Sequence, residues 1–548
     1  MRFTVIGPAR SLPKQTGPGF VLMQDNWDDY GFQTQYHLFW TMAGSELRIG
    51  AVKILRRGQL TSDPIQIAQS FDDLAENFVS VGESLDYYQH LSELGIDTRN
   101  EVLTALRDVV MRPELRRDFE DEEGWRKSLF RDQSASDVNE FLTLSSALVQ
   151  SDYTSVPQEE LQFAFHMQGW KEPIAFDFSI IPLRSDDRFN WNSRCLPGRI
   201  IVLIGRNSSG KSTVLARLAR VAHGSTSKRA DGAFKKFGDI DPIGIGFPRI
   251  VTVSYSAFDS FALPGVAPRP GMEEPDEREQ IIRDARRGEG RFVFCGLRDI
   301  ATELDEQMKS RPELSYDQVN DRVEVTHLKT IETLADEFRR ILDLIAQNAS
   351  EDTFNRALGF LLSDPSFSFL ADREFDSIAG GDPKAEFLSW STGHKIALQV
   401  VASLCAYVVP RSLVLIDEPE AHLHPPLLAA LMHAVRHILT KNKAFAIVAT
   451  HSPVVLQETL ARNVYLVRRE GAVLRAGPPQ IETFGENVGT LTNEVFGLNS
   501  EVTDFHRTLD QLVSELGAIE LIEERFGPYG LSLQARAYVL SRLAVTKG

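Results

Sequence analysis

One run constrains this chain more than any other: Gly205-Arg206-Asn207-Ser208-Ser209-Gly210-Lys211-Ser212-Thr213. An apolar stretch, Ile200 to Ile204, precedes it and reads as a buried strand. Val214, Leu215, Leu218 and Val221 follow at helical spacing. Strand, glycine loop and helix form the context that the pattern G-x-x-x-x-G-K-[ST] requires. Backbone N–H groups of such a loop and the start of its helix make an anion site. Lys211 then reaches the β- and γ-phosphates of a nucleotide, and Ser212 supplies an oxygen to Mg²⁺. A glycine turn that binds nothing is the alternative, and the flanking strand and helix weigh against it.

A chain of 548 residues exceeds what one hydrophobic core organises, so two to four lobes are expected. Cys195, Cys295 and Cys405 are widely separated, which gives neither a disulfide framework nor zinc spacing and points to a reducing compartment. The N-terminus has no apolar signal core. The longest apolar stretch, Ile396 to Val409, carries Gln399 and Ser403 and reads as a buried helix, not a membrane span. Together these predict a cytoplasmic protein. The formal net charge of −17 does not suit a surface that must neutralise nucleic-acid phosphates, unless a local basic face or a partner supplies the contact.

Residues 1 to 56 alternate like strands of a small sheet, with Tyr36/Leu38/Trp40 opposite His37/Phe39. Asp63-Pro64 predicts a helix start, with Ile67, Phe71, Leu74 and Phe78 on one face. Thr98 to Glu101 has capping-box spacing before Val102, Leu103, Leu106 and Val110. Alternation returns at Phe163/Phe165 and Ile174/Phe176/Phe178/Ile180. Gly224 to Gly246 reads as a surface excursion holding Lys228, Arg229, Lys235 and Lys236; Ile250 to Tyr255 reads as a strand. Pro264 to Glu279 is rich in Pro, Gly and Glu and reads as mobile. Residues 297 to 380 read as helices, with Leu328, Ile331, Leu334, Phe338, Ile341 and Ile345 in one stripe. No long heptad run appears, which argues against a coiled-coil arm.

A second buried strand, Leu413 to Ile416, ends in Asp417-Glu418. Asp417 fits the Mg²⁺ shell and Glu418 the polarisation of an attacking water, because phosphoryl transfer needs mainly positioning and charge compensation. A third strand, Ala444 to Ala449, ends at Thr450-His451, which places His451 at the γ-phosphate edge. Ser391 and Gly393, in Trp390-Ser-Thr-Gly-His-Lys395, open a long apolar helix and make another anion site. Two such helix starts in one chain suggest that one copy closes its second site over nucleotide held by another. His422, His424, His433 and His437 invite a zinc reading but lack ligand partners at suitable spacing.

This set resembles the ABC-type ATPase superfamily: Walker A, a signature sequence, Walker B with its glutamate, a D-loop and a switch histidine. The superfamily signature is usually L-S-G-G-Q, and Trp390-Ser-Thr-Gly-His394 departs from it at three positions. Asn207 and Asp417-Glu-Pro-Glu-Ala-His-Leu-His-Pro425 look like the SMC/RecF-like and OLD branch. Within it the chain is similar to the ATPase subunits of prokaryotic antiphage systems, above all the Septu ATPase (PtuA), which also occurs beside retrons. Ser254-Tyr-Ser-Ala-Phe-Asp259, Glu482 to Val488 and Glu494 to Gly497 add to that likeness. The resemblance implies an α/β fold: an ABC-type P-loop head with RecA-like core, β-subdomain and helical lobe, plus an N-terminal β/helical region. Expected divisions are 1–150 (N-terminal region), 151–300 (core with Walker A), 301–385 (helical insertion), 386–495 (core with signature, Walker B, D-loop and H-loop) and 496–548 (C-terminal helical segment). It further implies catalytic roles for Glu418, His451 and Lys211, and ATP contacts along Gly205 to Thr213 with Ser391 and Gly393. Ser212 and Asp417 would be the Mg²⁺ ligands. The expected Q-loop glutamine is absent, with Asp259 or Ser256 near its place. Phe176, Phe178, Phe189 and Trp191 are adenine-stacking candidates for which core packing is the competing role.

No Toprim D-x-D follows His451 and no H-N-H pattern appears, so the chain is expected to lack a nuclease centre. The implied partners are further copies of the chain, as a homodimer or higher homo-oligomer through the ATPase heads, an HNH nuclease subunit (PtuB-like) and, in a retron setting, a reverse transcriptase with its nucleic acid. Two alternatives stay open: a RecF/SMC-like ATPase acting directly on DNA, and a nucleotide-sensing scaffold that restrains a toxin.

Overall fold

The computed structural model describes residues 1–8, 12, 19–42, 45–63, 67–157, 160–179, 196–232, 234–257, 259–262, 264, 275–310, 321–323, 325–371, 373–471, 473–496 and 504–546. They fall into two compact units, Met1–Phe484 and Gly485–Gly548.

The larger unit begins with a six-stranded sheet. Its strands are β1 (Phe3–Ile6), β2 (Gly19–Gln24), β3 (Gln35–Met42), β4 (Ser45–Arg56), β5 (Ser70–Phe71) and β6 (Phe78–Gly82), in the order β5-β1-β2-β3-β4-β6. Both faces of β3 are covered: Tyr36, Leu38 and Phe39 are buried in it, and so is the polar His37, which bonds Asp25. Helices Leu85–Glu93, Ile96–Ala105 and Ala135–Gln150 pack on this sheet and share its core.

Two local expectations fail here. The apolar spacing after Asp63-Pro64 does not form a helix. Phe71 instead pairs with Phe3 at the sheet edge, their rings 5.1 Å apart, and Phe78 opens β6 against β4. The β-favouring Phe-Val-Ser-Val composition and a waiting sheet edge outweigh a four-residue period. The capping-box spacing at Thr98 likewise marks no helix start. The helix begins at Ile96 after Gly95, whose φ of 92° suits glycine and lets the chain turn without a side-chain cap.

A small sheet of β7 (Gln162–His166), β8 (Ile174–Asp177) and β10 (Asp239–Asp241) leans on the core that carries the glycine-rich loop. That core's sheet contains β9 (Ile200–Ile204), β11 (Ile250–Ser254), β12 (Phe292–Gly296), β13 (Leu413–Asp417), β14 (Phe445–Thr450), β15 (Val464–Glu470) and β16 (Val473–Gly477). The order is β12-β11-β13-β14-β9-β15-β16, parallel except for β16. β12 lies outside the sequence expectation; its alternation spans only five residues. The helix Lys211–His223 buries Val214, Leu215, Leu218 and Val221, the stripe its sequence predicts.

The segment Gly224 to Gly246 is more structured than a surface excursion: it holds the short helix Thr226–Ala230, a 3₁₀ turn and β10. Its basic cluster is solvated only in part: Lys235 is exposed, whereas Lys228 and Lys236 are half-buried. Arg229 is buried and donates to the carbonyls of Val221, Ala222, Ile243 and Ile245, so it closes a helix end and a turn. Of Pro264 to Glu279, residues 265–274 lie outside the described residues, and Pro275–Arg287 forms a helix. In the helical lobe, Thr330 caps Ile331–Gln347, which buries Leu334, Phe338, Ile341 and Ile345. Leu328 and Ile331, at the start of the predicted stripe, are exposed. Thr392–Tyr407 is the buried helix expected from its apolar run. The smaller unit has its own core of Leu509, Val513, Ile522, Val539 and Leu543. Among the described residues no helix is long and apolar enough to cross a membrane.

Candidate nucleotide site

Register fixes the site. Ser254, Asp417, Ala449 and Leu203 lie in one row across the parallel sheet. One residue further along, β13, β14 and β9 release Glu418, Thr450 and Ile204, just before the loops that carry the chemistry. Ligands of open parallel sheets collect at this edge, beyond the carboxyl ends of the strands.

The loop after β9 is shaped by close backbone approach. A Cβ on Gly205 would lie 2.1 Å from the Val467 carbonyl oxygen, so only glycine fits. Ser208 and Gly210 hold φ of 62° and 94°, which curls the loop before the helix starts at Lys211. The Lys211 ammonium donates to the carbonyls of Gly205 (3.1 Å) and Arg206 (3.3 Å), and lies 3.5 Å from Ser209 Oγ. It also sits 3.0 Å from His451 Nε2. Burial lowers its pKa to about 8. Arg206, Asn207 and Ser208 are exposed at the loop's crest, while Ser212 and Thr213 are half-buried in the first helical turn.

The structure brings Ser212, Asp417, Glu418 and His451 to that loop. Ser212 Oγ donates to Asp417 Oδ1 at 3.0 Å. Burial, reinforced by the fields of Asp259 and Glu418, pushes the Asp417 carboxyl up to about 7. Glu418 is held below the ordinary range, chiefly by its hydrogen bond to His451, whose Nε2 lies 3.5 Å from Oε1. The two adjacent acids are thus driven apart, one toward the proton and one toward the free carboxylate. Glu418 also takes a left-handed φ of 49° and donates its N–H to the Ala449 carbonyl (2.8 Å).

These groups fit ATP and Mg²⁺. The cradle at Gly205 admits no side chain, the Lys211 ammonium bonds two carbonyls, a hydroxyl and an imidazole, and Ser212 and Asp417 offer hard oxygen donors. Bound magnesium would supply charge compensation on the phosphates. Lys211 would hold the phosphate oxygens, Glu418 would orient a water, and His451 would sit beside both.

Among the described residues, Ser391 makes no hydrogen bond to this cluster. Ser391 caps Thr392–Tyr407 by accepting the His394 N–H at 3.4 Å. A Cβ on Gly393 would stand 3.2 Å from the His422 carbonyl, so this turn packs against the segment that follows Glu418. Among the described residues, the hydrogen bonds of Ser391 stay within its own turn and reach no residue of the phosphate loop. Of the aromatic candidates, Phe176 and Phe178 are core residues packed on Phe163 and Phe445; Phe189 and Trp191 lie outside the described residues. The four histidines do not converge: His424 caps Pro425–Lys441, His433 bonds Glu458 at 2.7 Å and His437 lies against Phe360. Asp259 is buried and paired with Arg298 at 3.4 Å.

One residue of the site was missed by sequence reasoning. Glu420 accepts the His451 N–H at 2.5 Å through Oε1 and the Thr450 hydroxyl at 2.8 Å through Oε2. It belongs to the quoted acidic run, but only the β13–β14 register shows that it anchors the histidine loop.

The sheet order and this loop define a P-loop ATPase fold. A family model described as "AAA domain, putative AbiEii toxin, Type IV TA system" matches residues 289–457. Protein ea59 of Escherichia phage lambda is 30% identical over 549 residues, covering 97% of this chain and 96% of that protein. The chain belongs to the family of ea59. Among solved structures, an SMC head domain from Thermotoga maritima overlaps it at TM-score 0.26 and 15% identity, over 59% of this chain and 100% of that one.

Proposed function

We propose that this protein binds and hydrolyses ATP with Mg²⁺, and that two copies close head to head around the nucleotide. The observation that carries the reading is the convergence of Lys211, Ser212, Asp417, Glu418 and His451 on one sheet edge. In the closed pair, Ser391 and the exposed start of Thr392–Tyr407 would cover the other copy's triphosphate, which would account for its distance in bonding from its own phosphate loop.

The finer reading is an ATPase subunit of an antiphage complex that governs a separate HNH-type nuclease, in some settings beside a retron reverse transcriptase. Its support is the motif resemblance and a matching family whose description names a putative toxin of a toxin–antitoxin system. ATP turnover and sedimentation of wild type and Glu418→Gln test the catalytic reading. The variant should bind ATP, lose turnover by about 10²- to 10⁴-fold and accumulate as a dimer with ATP. Equal turnover in both would remove Glu418 from its role, and monomers at saturating ATP would remove the closed pair.

A further inference from the structure

Away from the nucleotide site, the N-terminal lobe meets the core around a cavity of about 380 Å³. His90, from helix Leu85–Glu93, and Asp284, from helix Pro275–Arg287, both line it. With Glu93 they place one nitrogen and two carboxylate oxygens within 4.8 Å of one another. We propose that His90, Glu93 and Asp284 bind a divalent first-row metal ion, with zinc the best match, and so join these two helices.

The support lies in what surrounds each ligand. His90 Nδ1 is 2.8 Å from the Ile49 carbonyl, which fixes that nitrogen as a donor and directs Nε2 toward Asp284 Oδ2, 3.1 Å away. A backbone carbonyl on the far ring nitrogen is the usual outer support of a metal-bound histidine. Tetrahedral ligands at 2.0–2.2 Å from zinc stand roughly 3.3–3.6 Å apart, so the His90–Asp284 spacing needs little change. Asp284 Oδ1 is held by the Gln280 amide at 2.7 Å. Glu93 Oε1 is held by the Gln89 amide and the Gly290 N–H, each at 2.9 Å. Each ligand therefore has its own orienting bond.

Charge and unmet polarity point the same way. Glu289 feels the charges of Glu93 and Asp284, offset in part by its ion pair with Arg287 at 3.5 Å, and a dication offsets more of that field than a single imidazolium. The cavity wall also carries the Tyr87 hydroxyl and Gln399 Oε1, both buried without a hydrogen-bond partner. Tyr87 stands one helical turn before His90. Water held on the metal's open side would have partners in this wall. The choice of zinc follows from one imidazole with two carboxylates, a set that favours zinc, manganese or iron over magnesium.

The test uses the full chain, stripped with chelator and kept free of nucleotide so that the phosphate loop contributes no metal. Titration with ZnCl₂, followed by calorimetry and elemental analysis, should give one equivalent bound with a dissociation constant of about 1 μM or tighter. His90→Ala and Asp284→Asn should weaken it by roughly 100-fold or more, and Asp417→Asn should leave it unchanged. Gln280→Leu keeps all three ligands and frees Asp284, so a loss of about 10-fold is expected there. Circular dichroism identifies any variant that fails to fold, and Glu93→Gln then stands in for it. No stoichiometric zinc in wild type would overturn the proposal and leave a His90–Asp284 ion pair. Wild-type zinc binding in the folded ligand variants would overturn it equally.

Discussion

The Lys211 ammonium and the His451 imidazole face each other at 3.0 Å across the mouth of the phosphate loop. An ammonium only donates, so in this contact Nε2 accepts. The same nitrogen lies 3.5 Å from Glu418 Oε1, where it must instead donate. One nitrogen cannot do both. A phosphate that accepts the Lys211 hydrogen bonds would free Nε2 to take up a proton, by tautomer exchange or from solvent, and donate it to Glu418, so arrival of nucleotide and the setting of the Glu418 carboxylate would be linked through one ring.

Lys211→Ala removes the charge that meets the phosphates and leaves the Gly205 and Arg206 carbonyls facing an empty pocket. ATP affinity should fall by about 100-fold or more, near 3 kcal/mol, the scale of truncating one partner of a buried charged bond. Calorimetric titration checks it. An unchanged dissociation constant would mean that the nucleotide sits elsewhere.

Glu420 should act on rate and not on binding. Among the described residues its carboxylate bonds the Thr450 hydroxyl and the His451 N–H and reaches the phosphate cradle only through its charge on Lys211, so its removal chiefly misplaces the histidine loop. Glu420→Ala should lower kcat by roughly 10- to 100-fold, as small misplacements of a catalytic group do, while KM for ATP stays within about 3-fold. Glu420→Gln, which keeps an acceptor for His451, should recover part of the loss. A parallel rise in KM would assign Glu420 to general stability instead.

The phosphate loop, the acidic strand and the histidine strand were all legible because each joins an apolar run to a short polar motif, and the strand-end geometry follows from register once the runs pair. Glu420 was not, since its partners come from the next strand. The N-terminal lobe was harder for a related reason. Phe71 and Phe78 satisfy a helical spacing, yet their partners Phe3 and Arg56 lie far away in sequence, and sheet pairing decides the outcome. Arg229 shows the same limit for charge: composition places a cation in a loop, and only the fold shows that it is spent on four carbonyls.

Arg298 is nearly inaccessible at 1% side-chain exposure and pairs with Glu303 at 2.5 Å and Asp259 at 3.4 Å. Arg298→Ala would leave two buried carboxylates without their cation and should cost about 3–5 kcal/mol of unfolding free energy. Adding Glu303→Leu removes one orphaned charge and should restore part of that loss. Urea unfolding of the three proteins decides it, and an additive double variant would show that the pair is not coupled.

Asp108 should give the N-terminal lobe a stability that falls as pH rises. Burial pushes its carboxyl up to about 7, although the Val110 N–H and the Tyr88 hydroxyl, at 2.8 Å and 3.2 Å, favour the charged form. The folded state thus holds this proton more tightly than the unfolded chain, whose aspartates titrate near 3.9. The contribution is complete below about pH 4 and is lost as pH climbs through 7, by about 4 kcal/mol at most. Asp108→Asn fixes the neutral form and should flatten the fall in urea midpoint between pH 5 and pH 8. If the variant keeps the wild-type slope, the proton responsible belongs to another group.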